Sequence, residues 1–190
     1  MTKANKTEVR LAGFGGQGIV LASVVFGTAA VTRGGLEACQ TQSYGSEARG
    51  GECQAEVIVS REPILSPISE RNDILVAMSR QALEKYLPRL RPGGALLFDP
   101  EFVAPPGRPD ITCHEVPATR RAGELGAALC ANMVMVGFLQ EATGLFAPDA
   151  LKEVIAESVP ARFRDVNLAA AECGMALART TGARLGGENP

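Results

Sequence analysis

A glycine-rich segment between a buried strand and an apolar helix constrains this chain more than any other feature. Residues 13–18 read Gly-Phe-Gly-Gly-Gln-Gly, follow Val9–Ala12, which is predicted to be a short buried strand, and precede the nearly all-apolar stretch Ile19–Thr32. Glycines allow a tight turn, and free N–H groups at the start of a helix attract anions. The pattern therefore predicts a strand–turn–helix unit of an α/β fold, of the kind that holds phosphate groups in dinucleotide-binding proteins.

The acidic residue that would complete a nicotinamide site is missing. Such a site also needs a carboxylate at the end of the second strand to hold the ribose hydroxyls. The second strand is predicted at Leu36–Thr41, and it ends in uncharged residues, while Glu37 lies near its beginning. Two interpretations stay open: a free-standing dinucleotide-binding protein, or a turn whose glycines permit a close strand–helix crossing or contact with a partner subunit.

The rest of the chain alternates strands and helices and then becomes helical. Strands are predicted at Cys53–Val59, Asp73–Met78, Ala95–Phe98 and Ile111–Val116, and helices at Gln81–Leu90, Thr119–Thr143, Pro148–Ser158 and Asp165–Thr181. Thr119 is expected to cap the longest helix and Gly144 to end it. The predicted fold class is α/β: an open, mostly parallel, Rossmann-like sheet flanked by helices, with a helical C-terminal layer. We expect a single domain over residues 1–190, with a flexible tail (1–7), the sheet (8–118) and the helical layer (119–185).

The composition is that of a soluble globular protein. Hydrophobic residues make up 46% of the chain and charged residues 21%, and the net charge is -2. This balance gives no reason to expect nucleic-acid or membrane partners. The longest apolar stretch, Ile19–Val31, is too short to span a bilayer. The N-terminus lacks the apolar core of a signal peptide, so a cytoplasmic location is predicted.

The cysteines and the single histidine offer no catalytic or metal site. The five cysteines are far apart and form no C-x-x-C pair, which argues against a disulfide framework, a zinc site or an iron–sulfur cluster in this chain alone. We expect them to be buried, reduced core residues: Cys39, Cys53, Cys113, Cys130 and Cys173. His114 is expected to be structural or superficial. Because no arrangement suggests a nucleophile, no catalytic residues and no metal ligands are predicted.

A second polar segment follows the predicted second strand. Residues 42–51 are polar and glycine-bearing, which predicts a loop. Loops at the carboxyl ends of parallel strands share one edge of the sheet, so this loop should lie beside the first glycine turn. Its hydroxyl, phenol, carboxylate and guanidinium groups could hold an anion or a partner surface. The alternative is a solvated loop with an internal Glu47–Arg49 pair.

Taken together, the two segments resemble the gamma subunit of 2-oxoacid:ferredoxin (acceptor) oxidoreductases. The matching patterns are Gly-Phe-Gly-Gly-Gln-Gly and then Gln-Ser-Tyr-Gly-x-Glu-x-Arg-Gly-Gly. The resemblance continues through Asp73–Ser79, Gly93-Gly94 with Asp99, Pro117–Thr119 and Asn132–Val134, and covers roughly residues 8–145. The form Thr-Gln-Ser-Tyr-Gly is most similar to 2-oxoglutarate-type subunits, although Ser46 stands where these commonly have proline. Relatives acting on phenylglyoxylate or branched-chain 2-oxoacids therefore stay open.

The resemblance implies a multi-subunit complex that oxidatively decarboxylates a 2-oxoacid to its acyl-CoA. Such complexes use thiamine diphosphate with Mg between alpha-type and beta-type subunits. They pass electrons through 4Fe–4S clusters, held by beta-type or ferredoxin-like delta subunits, to ferredoxin or to a flavin- or NAD-linked acceptor. None of these cofactors is expected to be bound entirely by this chain. The gamma domain is expected to pack against the thiamine-binding core, to help cover the coenzyme A (CoA) approach and to carry no catalytic machinery.

The same resemblance suggests which residues face the partner subunits. We expect the two segments to form one cofactor-binding or subunit-interface surface, in which Arg49 supplies charge-assisted contacts and Tyr44 an amphipathic anchor. The candidate residues are Gly15, Gly16, Gln17, Gly18, Ser43, Tyr44, Gly45, Glu47, Arg49, Gly50 and Gly51.

Overall fold

A computed structural model describes residues 6–44 and 51–185 of the chain. Within these residues six strands form one sheet: β1 (Lys6–Phe14), β2 (Glu37–Tyr44), β3 (Glu52–Ser60), β4 (Asn72–Ala77), β5 (Leu90–Phe98) and β6 (Thr112–Glu115). Their order across the sheet is β2-β3-β1-β4-β5-β6. The sheet is mixed, because β1, β4, β5 and β6 are parallel neighbours whereas β3 runs antiparallel between β1 and β2. The predicted α/β class with a mostly parallel sheet is confirmed.

Six α-helices surround the sheet in the described part of the chain: α1 (Ile19–Thr32), α2 (Arg80–Tyr86), α3 (Ala118–Glu124), α4 (Ala131–Thr143), α5 (Pro148–Ser158) and α6 (Arg164–Thr181). Helix α1 covers one face of the sheet, where it packs with the larger apolar core that also includes α4, α5 and α6. Helix α2 packs on the opposite face over a smaller core of β1, β4 and β5 side chains.

Segments with a clear apolar pattern, continuous or alternating, form the predicted elements. The continuous apolar run of β4 is buried on both faces between β1 and β5, as expected for a central parallel strand. In β3, Cys53, Ala55 and Val57 are buried, while the alternating polar residues are half-buried. Helix α1 has the predicted bounds, and Gly144 ends α4 in a left-handed conformation.

The long helix predicted at Thr119–Thr143 is wrong, since two helices and a 3-10 turn (Ala128–Cys130) occupy that range. The break follows Leu125, where Gly126 adopts a φ of +77° that only glycine tolerates easily. The expected Thr119 cap is wrong as well. Helix α3 begins at Ala118, and the backbone N–H of Thr119 donates to the carboxylate of Asp99 at 2.8 Å.

Three boundaries also differ from prediction. Residues 42–44 belong to β2 rather than to a loop, because they pair with β3 as far as Tyr44 opposite Cys53. Lys6 and Thr7, predicted to lie in a flexible tail, pair with the end of β3. Helix α2 is shorter than Gln81–Leu90, since a 3-10 turn that includes Pro88 follows it and Leu90 opens β5.

The prediction that all five cysteines are buried is wrong. All five are free thiols, and only Cys53 and Cys130 are buried. Cys113 is exposed because it lies on the edge strand β6, which has a sheet neighbour on one side only. In the described ranges, no helix has the length and apolar character needed to cross a membrane.

Candidate functional site

The glycine turn leaves the carboxyl end of β1 at the middle of the sheet. Its N–H at Gln17 donates to the carbonyl of Phe14 at 3.1 Å, and Gly16 and Gly18 have φ values of +101° and +68°. Gly18 caps α1 without any side-chain hydrogen bond. Positive φ values at two of the glycines explain the residue type at these places.

The side chain of Gln17 bridges the carboxyl ends of β1 and β4. Its Oε1 accepts the backbone N–H of Phe14 at 2.7 Å, and its Nε2 donates to the carbonyl of Met78 at 3.0 Å. A methyl group added at Gly13 would collide with Gln17 Oε1 and crowd the side chain of Met78. Gly13 is therefore a glycine because the Gln17 amide lies against it.

Asn132, at the start of α4, holds the other end of the turn. Its Nδ2 donates to the carbonyl of Gly18 at 3.1 Å, and a side chain at Gly18 would collide with the same amide. Asn132 is buried, with 4% of its surface exposed. Sequence reasoning gave Asn132 no role, since no local pattern connects it to a turn more than a hundred residues away.

The two predicted segments meet, as their places in the sheet required. The backbone N–H of Gly15 donates to the carbonyl of Gly51 at 2.8 Å, beside the Phe14–Glu52 pair of β1 and β3. Ser43 is exposed on β2 opposite Gln54. Four of the candidates lie outside the described residues: Gly45, Glu47, Arg49 and Gly50. Of the predicted surface, the structure therefore describes the glycine turn, residues 43–44 and Gly51.

Cys53, on β3, is a buried thiol at the same end of the sheet as the glycine turn. Burial, reinforced by the nearby Glu52 carboxylate, raises the pKa of that thiol, so it stays protonated at neutral pH.

Helix α1 presents an aliphatic line on its outer side. Leu21, Val24 and Val31 are 37%, 41% and 45% exposed, with half-buried Thr28 between the last two. None of its fourteen residues is charged. A helix that faced only water would carry polar residues along this line. The line begins one turn beyond the glycine segment.

A buried ionic cluster lies across β1, β3 and β4, on the face of the sheet covered by α2. The Arg10 guanidinium is 2% exposed, pairs with Glu56 and donates to Asn72 Oδ1 at 2.8 Å and Gln54 Oε1 at 2.6 Å. It also lies 4.5 Å from the centre of the Tyr86 ring. The sequence pattern gave no sign of this cluster, because Arg10 stands within an apolar strand.

Glu52 ties the start of β3 to α2. Its carboxylate accepts hydrogen bonds from the Tyr86 hydroxyl and from Lys85 Nζ, the latter at 2.6 Å. Burial raises the pKa of Glu52, but these bonds and the positive charges outweigh it, so the pKa is lower than usual. Glu52 is thus an anchored anion directly after Gly51.

In the described ranges, no three His, Cys, Asp or Glu side chains lie close enough together to hold a metal ion. His114 packs against Phe138, with ring centres 5.9 Å apart, and burial lowers its pKa. The structural or superficial role expected for His114 stays a prediction.

Comparison with known proteins identifies a matching family and several similar proteins. Residues 8–177 match the family described as pyruvate ferredoxin/flavodoxin oxidoreductase. The chain is 49% identical over 179 residues to the 2-oxoglutarate synthase subunit KorC of Methanothermobacter thermautotrophicus, covering 90% of this chain and 95% of the relative. It is 32% identical to the ketoisovalerate oxidoreductase subunit VorA of the same organism, covering 92% of this chain and 37% of that subunit.

Two solved structures share the fold. The keto/oxoacid ferredoxin oxidoreductase gamma subunit from Geobacter sulfurreducens superposes with a TM-score of 0.80 at 33% identity, covering 92% of this chain and 99% of the other. The 2-oxoglutarate:ferredoxin oxidoreductase from Magnetococcus marinus, with 2-oxoglutarate, coenzyme A and succinyl-CoA bound, gives 0.85 at 25% identity. That match covers 98% of this chain and 34% of the other.

Proposed function

The chain belongs to the pyruvate ferredoxin/flavodoxin oxidoreductase family, and we propose that it is the gamma-type subunit of a 2-oxoglutarate:ferredoxin oxidoreductase. The observation that carries this proposal is the 49% identity to a 2-oxoglutarate synthase subunit along 95% of that subunit's length. Identity to the ketoisovalerate subunit is lower, at 32%. The complex would convert 2-oxoglutarate, coenzyme A and oxidised ferredoxin to succinyl-CoA, carbon dioxide and reduced ferredoxin.

Partner subunits would dock on the edge of the sheet that carries the glycine turn. The exposed turn and the aliphatic line of α1 adjoin there, and Gly51 brings the second segment to the same edge. In the Magnetococcus marinus protein and in VorA, the matched region is about a third of a longer polypeptide. The part of those chains that has no counterpart here would be supplied by separate subunits. The partners we propose are alpha-type and beta-type thiamine-binding chains and a ferredoxin-like delta chain.

The residues of this chain suit a supporting role better than a catalytic one. A 4Fe–4S cluster requires four cysteine ligands close together, and the described residues bring no three His, Cys, Asp or Glu side chains into such a group. We therefore assign the clusters to the partners, and with them, from the family resemblance, thiamine diphosphate with Mg. Coenzyme A is present in the Magnetococcus marinus structure. In our proposal this chain would contact coenzyme A only through the exposed turn and the second segment, and it would catalyse no step of the reaction.

Co-expression and pull-down test this proposal. The tagged chain should bring down a thiamine-binding chain and a cluster-bearing chain, and the isolated complex should reduce ferredoxin with 2-oxoglutarate and coenzyme A. A preference for phenylglyoxylate or a branched-chain 2-oxoacid would move the assignment to those relatives.

The alternative function is that of a free-standing dinucleotide-binding protein. Stoichiometric binding of NADH or FAD by the isolated chain, with no co-purifying subunits, would favour this alternative over the subunit proposal.

A further inference from the structure

The carboxyl ends of β1 and β4 enclose the crevice where an open α/β sheet ordinarily binds its ligand. Helix α1 leaves β1 toward one face, and α2 leaves β4 toward the other. Such a change of face between neighbouring parallel strands creates a gap at the sheet edge, and dinucleotides bind in gaps of this kind.

In this chain the crevice is occupied by protein. The amide of Gln17 bridges it, with Oε1 on the N–H of Phe14 at the end of β1 and Nε2 on the carbonyl of Met78 just after β4. Met78 is 2% exposed. The absent side chain at Gly13 makes room for the Gln17 amide at the ends of the two strands.

We infer that Gln17 is the positioning residue of the glycine turn: it closes the crevice from inside and fixes the exposed backbone of Gly15 and Gly16 toward the partner surface. Both glycines are exposed, and a methyl group added at Gly16 would meet no described atom within 4 Å. The turn is held at Gln17 on one side and through Asn132 at Gly18 on the other. A segment fixed at both ends presents one backbone shape and loses little entropy on contact.

The glutamine side chain supplies both an acceptor for the N–H of Phe14 and a donor for the carbonyl of Met78. Glutamate offers an acceptor to Phe14 but has no donor for the carbonyl of Met78, so two oxygens would face each other. Methionine has a similar length and lacks both hydrogen-bonding groups. Gln17→Glu and Gln17→Met therefore separate loss of the Met78 bond from loss of both bonds, at nearly constant side-chain volume. Gln81→Glu, at an exposed position of α2, is the matched control for the added charge.

The first measurement is amide hydrogen exchange on the full-length chain. Both Gln17 variants should exchange faster in residues 11–18 and 76–80, about five- to tenfold in Gln17→Glu, which loses one net hydrogen bond, and more in Gln17→Met, which loses two. Gln81→Glu should match the wild type. Unchanged exchange in both Gln17 variants would overturn the positioning role.

The second measurement uses the assembled complex, and this part rests on the proposed function. Both variants should raise the apparent KM for coenzyme A with little change in kcat, because the turn is misplaced while the chemistry elsewhere is intact. Loss of assembly with an unchanged KM in the complex that does form would reduce Gln17 to a merely structural role and contradict the inference. If the wild-type chain joins no thiamine-binding subunit, the proposed function fails, while the exchange result still decides the role of Gln17.

Discussion

The backbone N–H of Gly15 donates a 2.8 Å hydrogen bond to the carbonyl of Gly51. This bond joins the first glycine turn to the last residue of the second segment, although 36 positions separate them in sequence. The bond forms because β3 begins beside the carboxyl end of β1. The segment that joins β2 to β3 must therefore reach the edge of the sheet at which the glycine turn lies. Whatever contacts one segment therefore lies within reach of the other.

Arg49→Ala should weaken complex assembly or raise the apparent KM for coenzyme A, by about five- to tenfold, since a charge-assisted hydrogen bond is lost. Arg49 lies outside the described residues, but Gly51 fixes the edge of the sheet to which its segment returns. Co-purification yield and steady-state kinetics measure the effect. The control is Arg61→Ala, an exposed position after β3 at the opposite edge. Full activity with normal co-purification of Arg49→Ala would contradict the prediction.

Val24→Lys should prevent or strongly weaken subunit association while leaving the isolated chain folded. Val24 is 41% exposed, so a lysine can reach water in the free chain, whereas a partner packed on α1 would have to bury the charge. Leu65→Lys is the matched control, because Leu65 is 97% exposed in the segment between β3 and β4, at the opposite edge. Association is measured by size-exclusion chromatography after co-expression. If the two variants assemble equally well, α1 is not part of the subunit interface.

The parts of the fold that were predictable are those in which the pattern is local. Helix α1 and the buried strand β4 are continuous apolar runs of different length, and length together with the flanking glycine and polar residues indicates both type and place. The break after α3 was missed because apolar residues continue on both sides of it, and only the φ of Gly126 shows the interruption. The extent of β2 was missed because the polar residues 42–43 owe their strand conformation to pairing with β3.

The candidate site was predictable only as two segments of sequence. That they share an edge followed from strand direction, and the Gly15–Gly51 bond agrees with it. The roles of Gln17 and Asn132 depend on Met78 and Gly18, which are distant in sequence. Arg10 shows the same limit, because its partners come from β3 and β4.

Arg10→Ala should lower the free energy of unfolding by about 3–5 kcal/mol, since it leaves the Glu56 carboxylate and two amides without their partner under α2. Arg80→Ala removes an equally charged residue whose ion pair with Glu84 is exposed, and should lower the free energy of unfolding far less. Urea denaturation of both variants measures the difference. Similar losses from the two substitutions would show that the buried cluster contributes no more than a surface pair.

His114→Gln should remove part of the acid sensitivity of folding. Burial lowers the pKa of His114 below its ordinary value of 6.5, so the unfolded state takes up the proton first. Stability from the neutral imidazole is therefore present at higher pH and is lost as the pH falls below 6.5. The free energy of unfolding should fall more steeply for the wild type than for the variant between about pH 8 and pH 5.5. Parallel curves, or a folded-state pKa at or above 6.5 from the NMR signals of this single histidine, would contradict it.

Gly137→Ala should destabilise the chain by about 2–3 kcal/mol, because helices α4 and α6 approach each other through paired glycines. A methyl group at Gly137 would collide with the backbone carbonyl of Ala171, and one at Gly174 with that of Val134. Backbone atoms of packed helices cannot move aside as a flexible side chain can. Gly123→Ala is the matched control: it lies in α3 with no atom within 4 Å of the added methyl.

The control should change stability in the opposite direction. Alanine has the higher helix propensity, so Gly123→Ala should gain up to about 1 kcal/mol where Gly137→Ala loses more than that. Urea denaturation midpoints of the two variants, measured against the wild type, should therefore shift to opposite sides. A Gly137→Ala midpoint at or above that of the wild type would mean that α4 and α6 can separate at no cost, and that their close contact does not hold the C-terminal layer together.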